Sequence, residues 1–162
     1  MKGKILSRLF RMETISGFGR CPVYLYRWTL LRIGKSGVGV YLHKFVGDDW
    51  CLDLHDHPKR FISIGLWGGY REHTPLEELP GYGDPNDPLT AYEEFRAPWV
   101  RTFPAEWRHR ISGPTSERPC WTLAIVGPAV REWGFWGRAG WVPWRDYVHP
   151  DNEEATKRKA CP

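Results

Sequence analysis

The chain has 162 residues, enough for one domain with a single core, and carries a net charge of +4 with 41% hydrophobic and 26% charged residues. That balance excludes a disordered or fibrous chain, and no apolar run approaches the ~18 residues of a membrane span. The basic residues are spread, with small concentrations only in "MKGKILSRLFR" and "TKRKACP", so solvated ends account for the charge and no nucleic-acid partner is expected.

The 17 glycines and 14 prolines cut the chain into short segments rich in Val, Ile, Tyr, Phe and Trp, the residues of strands. The first stretch reads as a short amphipathic helix with Ile5, Leu6, Leu9 and Phe10 on one side, its arginines interrupting any signal-peptide core. "CPVYLYRWTLLRI" and "GVGVYLHKFVG" then form a hairpin around "GKSG". "DDWCLDLHDHP" follows, and "FISIGLWGGYREH" reads as a buried strand ending in a bend or bulge at its Gly-Gly. Residues 74–90 mix Pro, Gly and acid without period, which marks a long loop expected at a pocket mouth as a lid or rim.

Order returns with "AYEEFRA", "WVRTFP", "RHRIS", "CWTLAIVGP" and "REWGFWG", each bounded by Pro, Gly or Ser. Eight or more short strands with no helices of matching length between them predict an all-β sandwich, jelly roll or barrel. The expected layout is an N-terminal extension over 1–20, a barrel over 21–148, and a polar tail over 149–162 that frays. Cys21, Cys51, Cys120 and Cys161 show no CxxC pair and no dense disulfide spacing, which suits reduced thiols in a cytoplasmic protein. Most of the 10 tryptophans are expected in the core.

The chemistry begins at "LHDHPKRF". Residues i and i+2 of a strand share a face, so His55 and His57 converge, with Asp53 on the same side and Asp56 on the other. His109 in "FPAEWRHRIS" opens a later β-like segment and is the best third ligand, while Cys51 or Asp53 stands near enough to complete a shell. His43, His73 and His149 have no such partners in the sequence.

At these residues the chain resembles the cupin superfamily, whose first motif carries H-x-H followed by a glycine and whose second reads P-x-G-x-x-H. "HDH" is followed by "GG", and "PAEWRH" supplies Pro104 and His109, a likeness spanning roughly residues 37–136. The resemblance implies a double-stranded β-helix, or jelly-roll barrel. Three departures stand beside it. Glu106 replaces the motif's glycine, Gly113 stands where an asparagine is usual, and Phe61 and Ile62 occupy the places of the acidic ligand of many cupins. Neither hydrocarbon can bind a metal, so the chain is similar to the three-histidine cupins, among them thiol dioxygenases such as cysteine dioxygenase.

Three imidazoles leave a divalent ion its full charge and open positions, which suits non-haem Fe(II), although the same ligands take Zn or Ni. The leading expectation is a dioxygenase of a small organic substrate. A cupin-type sugar isomerase or epimerase, or a non-catalytic binding module with a structural metal, are the alternatives. Tyr41 and Trp67, on strands flanking the metal segment, are candidates to stack on the substrate; Arg101 and Arg131 are candidate anion anchors. Arg108 and Arg110 share the face opposite His109. The expected partners are the small molecule and a second copy in a homodimer, with no membrane.

Overall fold

In the computed structural model, which describes residues 10–17, 21–34, 37–75, 90–137 and 140–149, the alternating apolar runs pair into antiparallel sheets. The strands are β1 (Met12–Ser16), β2 (Val23–Ile33), β3 (Val38–Phe45), β4 (Leu54–His55), β5 (Lys59–Trp67), β6 (Gly69–Pro75), β7 (Thr90–Arg96), β8 (Trp99–Phe103), β9 (Arg110–Ser112), β10 (Cys120–Ala129), β11 (Gly134–Gly137) and β12 (Gly140–Pro143). One short helix, α1 (Trp144–Tyr147), follows them. Six strands form a sheet in the order β1-β2-β3-β10-β5-β8, and two three-stranded sheets run β12-β11-β4 and β7-β6-β9. An antiparallel bridge between His55 and His109, at the start of β9, joins the two smaller sheets across a seam. Two layers result, and the seam of one meets β5 and β8 of the other through the His57–Phe61 and His109–Phe103 contacts.

Period two decides which side chains enter the space between the layers. On β2 the inward row is Leu25, Arg27 and Thr29; on β3 it is Gly39, Tyr41, His43 and Phe45; on β5 it is Phe61, Ser63 and Gly65. Leu25, Phe45, Tyr70, Ile111 and Cys120 pack one end into a core, while Cys51, Phe135 and Tyr147 form a second cluster against Trp50, Trp133 and Trp144. Gly65 is required here because a Cβ would lie 2.2 Å from the Trp99 ring. Gly68, at φ +75°, turns the chain from β5 into β6 with Pro119 O against it.

Several expectations change. The helix placed on Ile5, Leu6, Leu9 and Phe10 lies outside the described residues except at Phe10, whose φ of 62° is not helical, and from Met12 the chain forms β1, paired along its length with β2. Most of the loop expected as a lid, and the tail from residue 150, lie outside them too; β6 and β7 pair up to Pro75 and Thr90. Cys21 is disulfide-bonded, against the reading of reduced thiols, whereas Cys51 and Cys120 hold no disulfide. The tryptophans are half-buried or exposed, none reaching the fully buried core, because an indole is too large to be swallowed by a small barrel. Tyr26, Trp28 and Trp121 instead stack in series on the outer face of the six-stranded sheet, at 6.3 and 5.6 Å.

Two buried histidines give the fold an acid limit. Burial, reinforced by Arg27, pushes His43 down to about 3, and burial with Arg110 pushes His73 down to about 4. In the unfolded chain both return to about 6.5 and take up protons first, so acid favours unfolding. The urea midpoint of metal-free protein is expected to fall as pH drops from about 6.5 towards 4, and His73→Gln should flatten that slope. A midpoint independent of pH across this window would mean that these histidines are solvated.

Candidate metal centre

The backbone brings the three histidines together before their side chains are considered. His55 and His109 exchange both bonds of their bridge, at 2.9 and 3.0 Å, and the His57 N–H donates to Ala105 O at 2.9 Å. The imidazole centres then form a nearly equilateral triangle, 5.1 Å for His55–His57, 5.0 Å for His55–His109 and 4.9 Å for His57–His109. One nitrogen of each ring lies within 4.8 Å of the other two.

Glu72 determines which nitrogen His109 offers. Its carboxylate is 2% exposed and accepts from His109 Nδ1 at 2.6 Å, Arg101 Nη2 at 2.5 Å and Trp107 Nε1 at 3.1 Å. Burial alone would raise this carboxyl, but the bonds from His109 and Arg101 outweigh it and hold Glu72 below the usual range. With Nδ1 as the donor, a neutral His109 keeps its lone pair on Nε2, which lies 2.9 Å from His57 Nε2.

Burial disfavours the charged form of His55 and His57. Burial lowers His55 to about 4 despite the opposing pull of Asp49, whose Oδ2 lies 3.7 Å from Nδ1. Burial also takes His57 well below its ordinary value, and His109, His55 and Arg27 push it the same way. The walls are aromatic: Phe61 meets His57 edge-on at 4.8 Å, Phe103 lies 5.8 Å from His109, and Phe135 lies 6.2 Å from His55. Phe61 stacks on Phe103 at 4.6 Å, so the inward one of the two positions examined for an acidic ligand holds a packed hydrocarbon. Ile62 points to the outer face, opposite Ile125.

This donor set fits a divalent ion. Two imidazole nitrogens about 2.1 Å from one ion and at right angles to each other stand about 3 Å apart, close to the His57–His109 separation. The His109 tautomer is held by a carboxylate, and no carboxylate or thiolate among the described residues joins the group.

The remaining candidates divide. Tyr41 lies in the inward row of β3, with its ring 6.4 Å from His43. Arg101 is inward too, but it is engaged by Glu72, and its guanidinium lies 3.7 Å from the Phe95 ring centre. Arg131 pairs with the fully buried Asp56 at 2.7 Å, and Asp56 also accepts from Gly134 N, Trp136 Nε1 and Trp141 Nε1. Trp67 does not face the space between the layers. It is 69% exposed, because the register against β10 shifts between Trp121 and Thr122 and turns it to the outer face. Cys51 and Asp53 both bond the Tyr147 hydroxyl at 2.6 Å, which directs them into the second core cluster. Arg108 lies over the Trp136 ring at 4.6 Å.

No family model matches the chain, and no curated protein matches it in sequence. Among solved structures, HppE in its Fe(II) form superposes with a TM-score of 0.51 at 9% identity, over 72% of this chain and 57% of that one. The fold is that of the cupins. The chain thus spans a little over half the length of that cupin. A structure of the DMSP lyases RdDddP and RnDddQII aligns at 15% identity over 76% of this chain and 60% of that one, with a TM-score of 0.49. The capsular polysaccharide assembling protein CapF from Staphylococcus aureus aligns at 11% identity over 75% and 30%, with a TM-score of 0.46. The histidine triad stands where the two small sheets of this cupin-like fold meet.

Glu72, Arg27 and Lys59 were not singled out from the sequence, yet each left a mark there. Each is a charged residue on the inward parity of its strand, and a buried charge needs a partner.

Replacing His55, His57 or His109 by Ala is expected to reduce bound divalent metal well below one ion per chain by elemental analysis; full occupancy in all three variants would refute the site. Glu72→Gln should weaken metal binding by about ten- to a hundredfold in a chelator competition, as loss of a carboxylate behind a ligating imidazole does. Phe61→Glu should alter the visible spectrum of the cobalt-loaded protein, whereas Ile62→Glu should leave it unchanged.

Proposed function

We propose that this cupin is a metal-dependent dioxygenase of a small organic substrate, with Fe(II) held by His55, His57 and His109. The observation that carries the reading is a triad of imidazoles with no anionic ligand among the described residues joining it and a phenylalanine, Phe61, in the place of one. Bound Fe(II) would supply one-electron chemistry with O₂, with its charge undiminished by the ligands. A dioxygenase transfers both atoms of O₂ to the substrate, so the site requires no external reductant.

The protein's own residues serve that chemistry by holding and excluding. Glu72 keeps the His109 proton on Nδ1, leaving Nε2 to the ion. Phe61, Phe103 and Phe135 line the triad with hydrocarbon and restrict water, which protects a reactive centre from side reactions. Tyr41 and His43 present polar edges on the facing sheet, where a bound substrate would lie. The engagement of Cys51 and Asp53 by Tyr147 counts against a closed structural shell. The iron chemistry of HppE supports the choice of metal by analogy of fold alone.

The test is an anaerobic reconstitution with Fe(II). Nitric oxide should give a high-spin iron–nitrosyl paramagnetic signal, and a turned-over substrate should consume O₂. Absence of the signal would indicate a closed shell, and conversion at an unchanged rate under argon would instead favour an isomerase or epimerase.

A further inference from the structure

We propose that the outer face of the six-stranded sheet is the interface through which two copies of this chain pair, sheet against sheet. It stands independently of the metal, on the side of that sheet turned away from the triad.

The register of the strands lines up the outward side chains into rows that cross the sheet. One row runs Met12, Trp28, Leu42, Leu123, Ile64 and Val100, from β1 to β8, with no charged group in it. The next, two residues along each strand, holds Leu31, Val40, Ile125 and Ile62 and ends at Thr102. On the other side Tyr26, Lys44, Trp121 and Trp67 form a third. Lys44 is the single charged member of these rows, and its Nζ lies 5.4 Å from the Trp121 ring centre. A sheet face that meets water ordinarily alternates to polar side chains. This one does not, and it is open: Val100 is 72% exposed, Met12 50%, Leu31 45% and Ile125 41%. The one helix among the described residues, α1, packs on β11 and β12 instead.

A contiguous exposed apolar patch of this extent marks an interaction surface, and Trp and Met are side chains that interface cores favour. Three features select a second copy as its occupant. The first is area: six strands ~4.8 Å apart and three rows ~6.7 Å apart, with the width of their side chains, give a face of roughly 30 by 20 Å. A corrugated surface of that footprint comes to about the 800 Å² per partner that a standard stable interface buries. The second is charge. A partner recognised electrostatically needs a charged surface to answer, and these rows offer one ammonium already lying over an indole. The third is shape: two sheets of the same right-handed twist pack face to face in the aligned geometry, so the face is complementary to its own copy about a two-fold axis.

The test is sedimentation velocity of the full-length protein from about 1 to about 100 μM, a range that spans the affinities of interfaces of this size. The chain should pass from monomer to dimer within or below that range. Ile125→Asp sets a carboxylate in the middle of the apolar rows, where pairing would bury it, and should raise the midpoint of association tenfold or more. Val100→Lys, at the exposed end of a row, should raise it in the same direction and carries the test if Ile125→Asp fails to fold. Tyr92→Asp, equally exposed at 62% but on β7 in another sheet, should leave the midpoint where it is. A chain that stays monomeric throughout the range would overturn the proposal and leave the face to a segment of the same chain or to a different protein. A dimer unmoved by Ile125→Asp and Val100→Lys would overturn it too, since the copies would then pair through another surface. Neither result bears on the metal centre, which the histidine variants test separately.

Discussion

A single buried carboxylate organises the centre of this barrel. Glu72 could not remain ionised at 2% exposure without partners, and it has three donors from three places in the chain: Arg101 on β8, Trp107 before β9, and His109 itself. Each bond does separate work. The arginine supplies the compensating charge, the indole fills a remaining lone pair, and the imidazole has its tautomer settled. β6, which carries Glu72, pairs with β9 in a register that places Glu72 beside Ile111, so the sheet holds the carboxylate at the right height behind His109. Electrostatics and strand register are therefore one constraint.

That constraint gives the cavity two unlike walls. Behind the triad, charges are paired and hydrogen-bonded, as in the Asp56 cluster with Arg131, Trp136 and Trp141. Across from it, β2, β3 and β5 present Arg27, Tyr41, His43 and Lys59, a polar wall with an excess of positive charge. Phe61 and Phe103 lie between them.

The fold class and the triad were legible in the sequence because both are short-range facts. Alternation and Gly/Pro punctuation mark strands, and His55-x-His57 shares a face whatever else the chain does. The fates of Arg101 and Arg131 were not legible, since each is decided by a carboxylate brought from a distant strand. Trp67 shows a subtler limit: counting by twos from Phe61 turns it inward, and one irregularity opposite Trp121 reverses it. β1 went unseen because "METIS" has too few residues to show a period, and only the edge of β2 makes it a strand.

The seam between the two small sheets has a consequence for the order in which this protein can be made. All three ligands precede residue 110, yet His55 is hydrogen-bonded from one side through β4 to β11, and its ring packs on Phe135. Tyr147, later still, stacks on Phe135 at 4.1 Å and ties down Asp53 beside β4. A nascent chain that has emerged only through β10 therefore carries every ligand but not the strand that holds the first of them in place. Until β11 and Tyr147 emerge, the backbone of His55 has only its bridge to His109, so the scaffold of the triad is complete only in the finished domain.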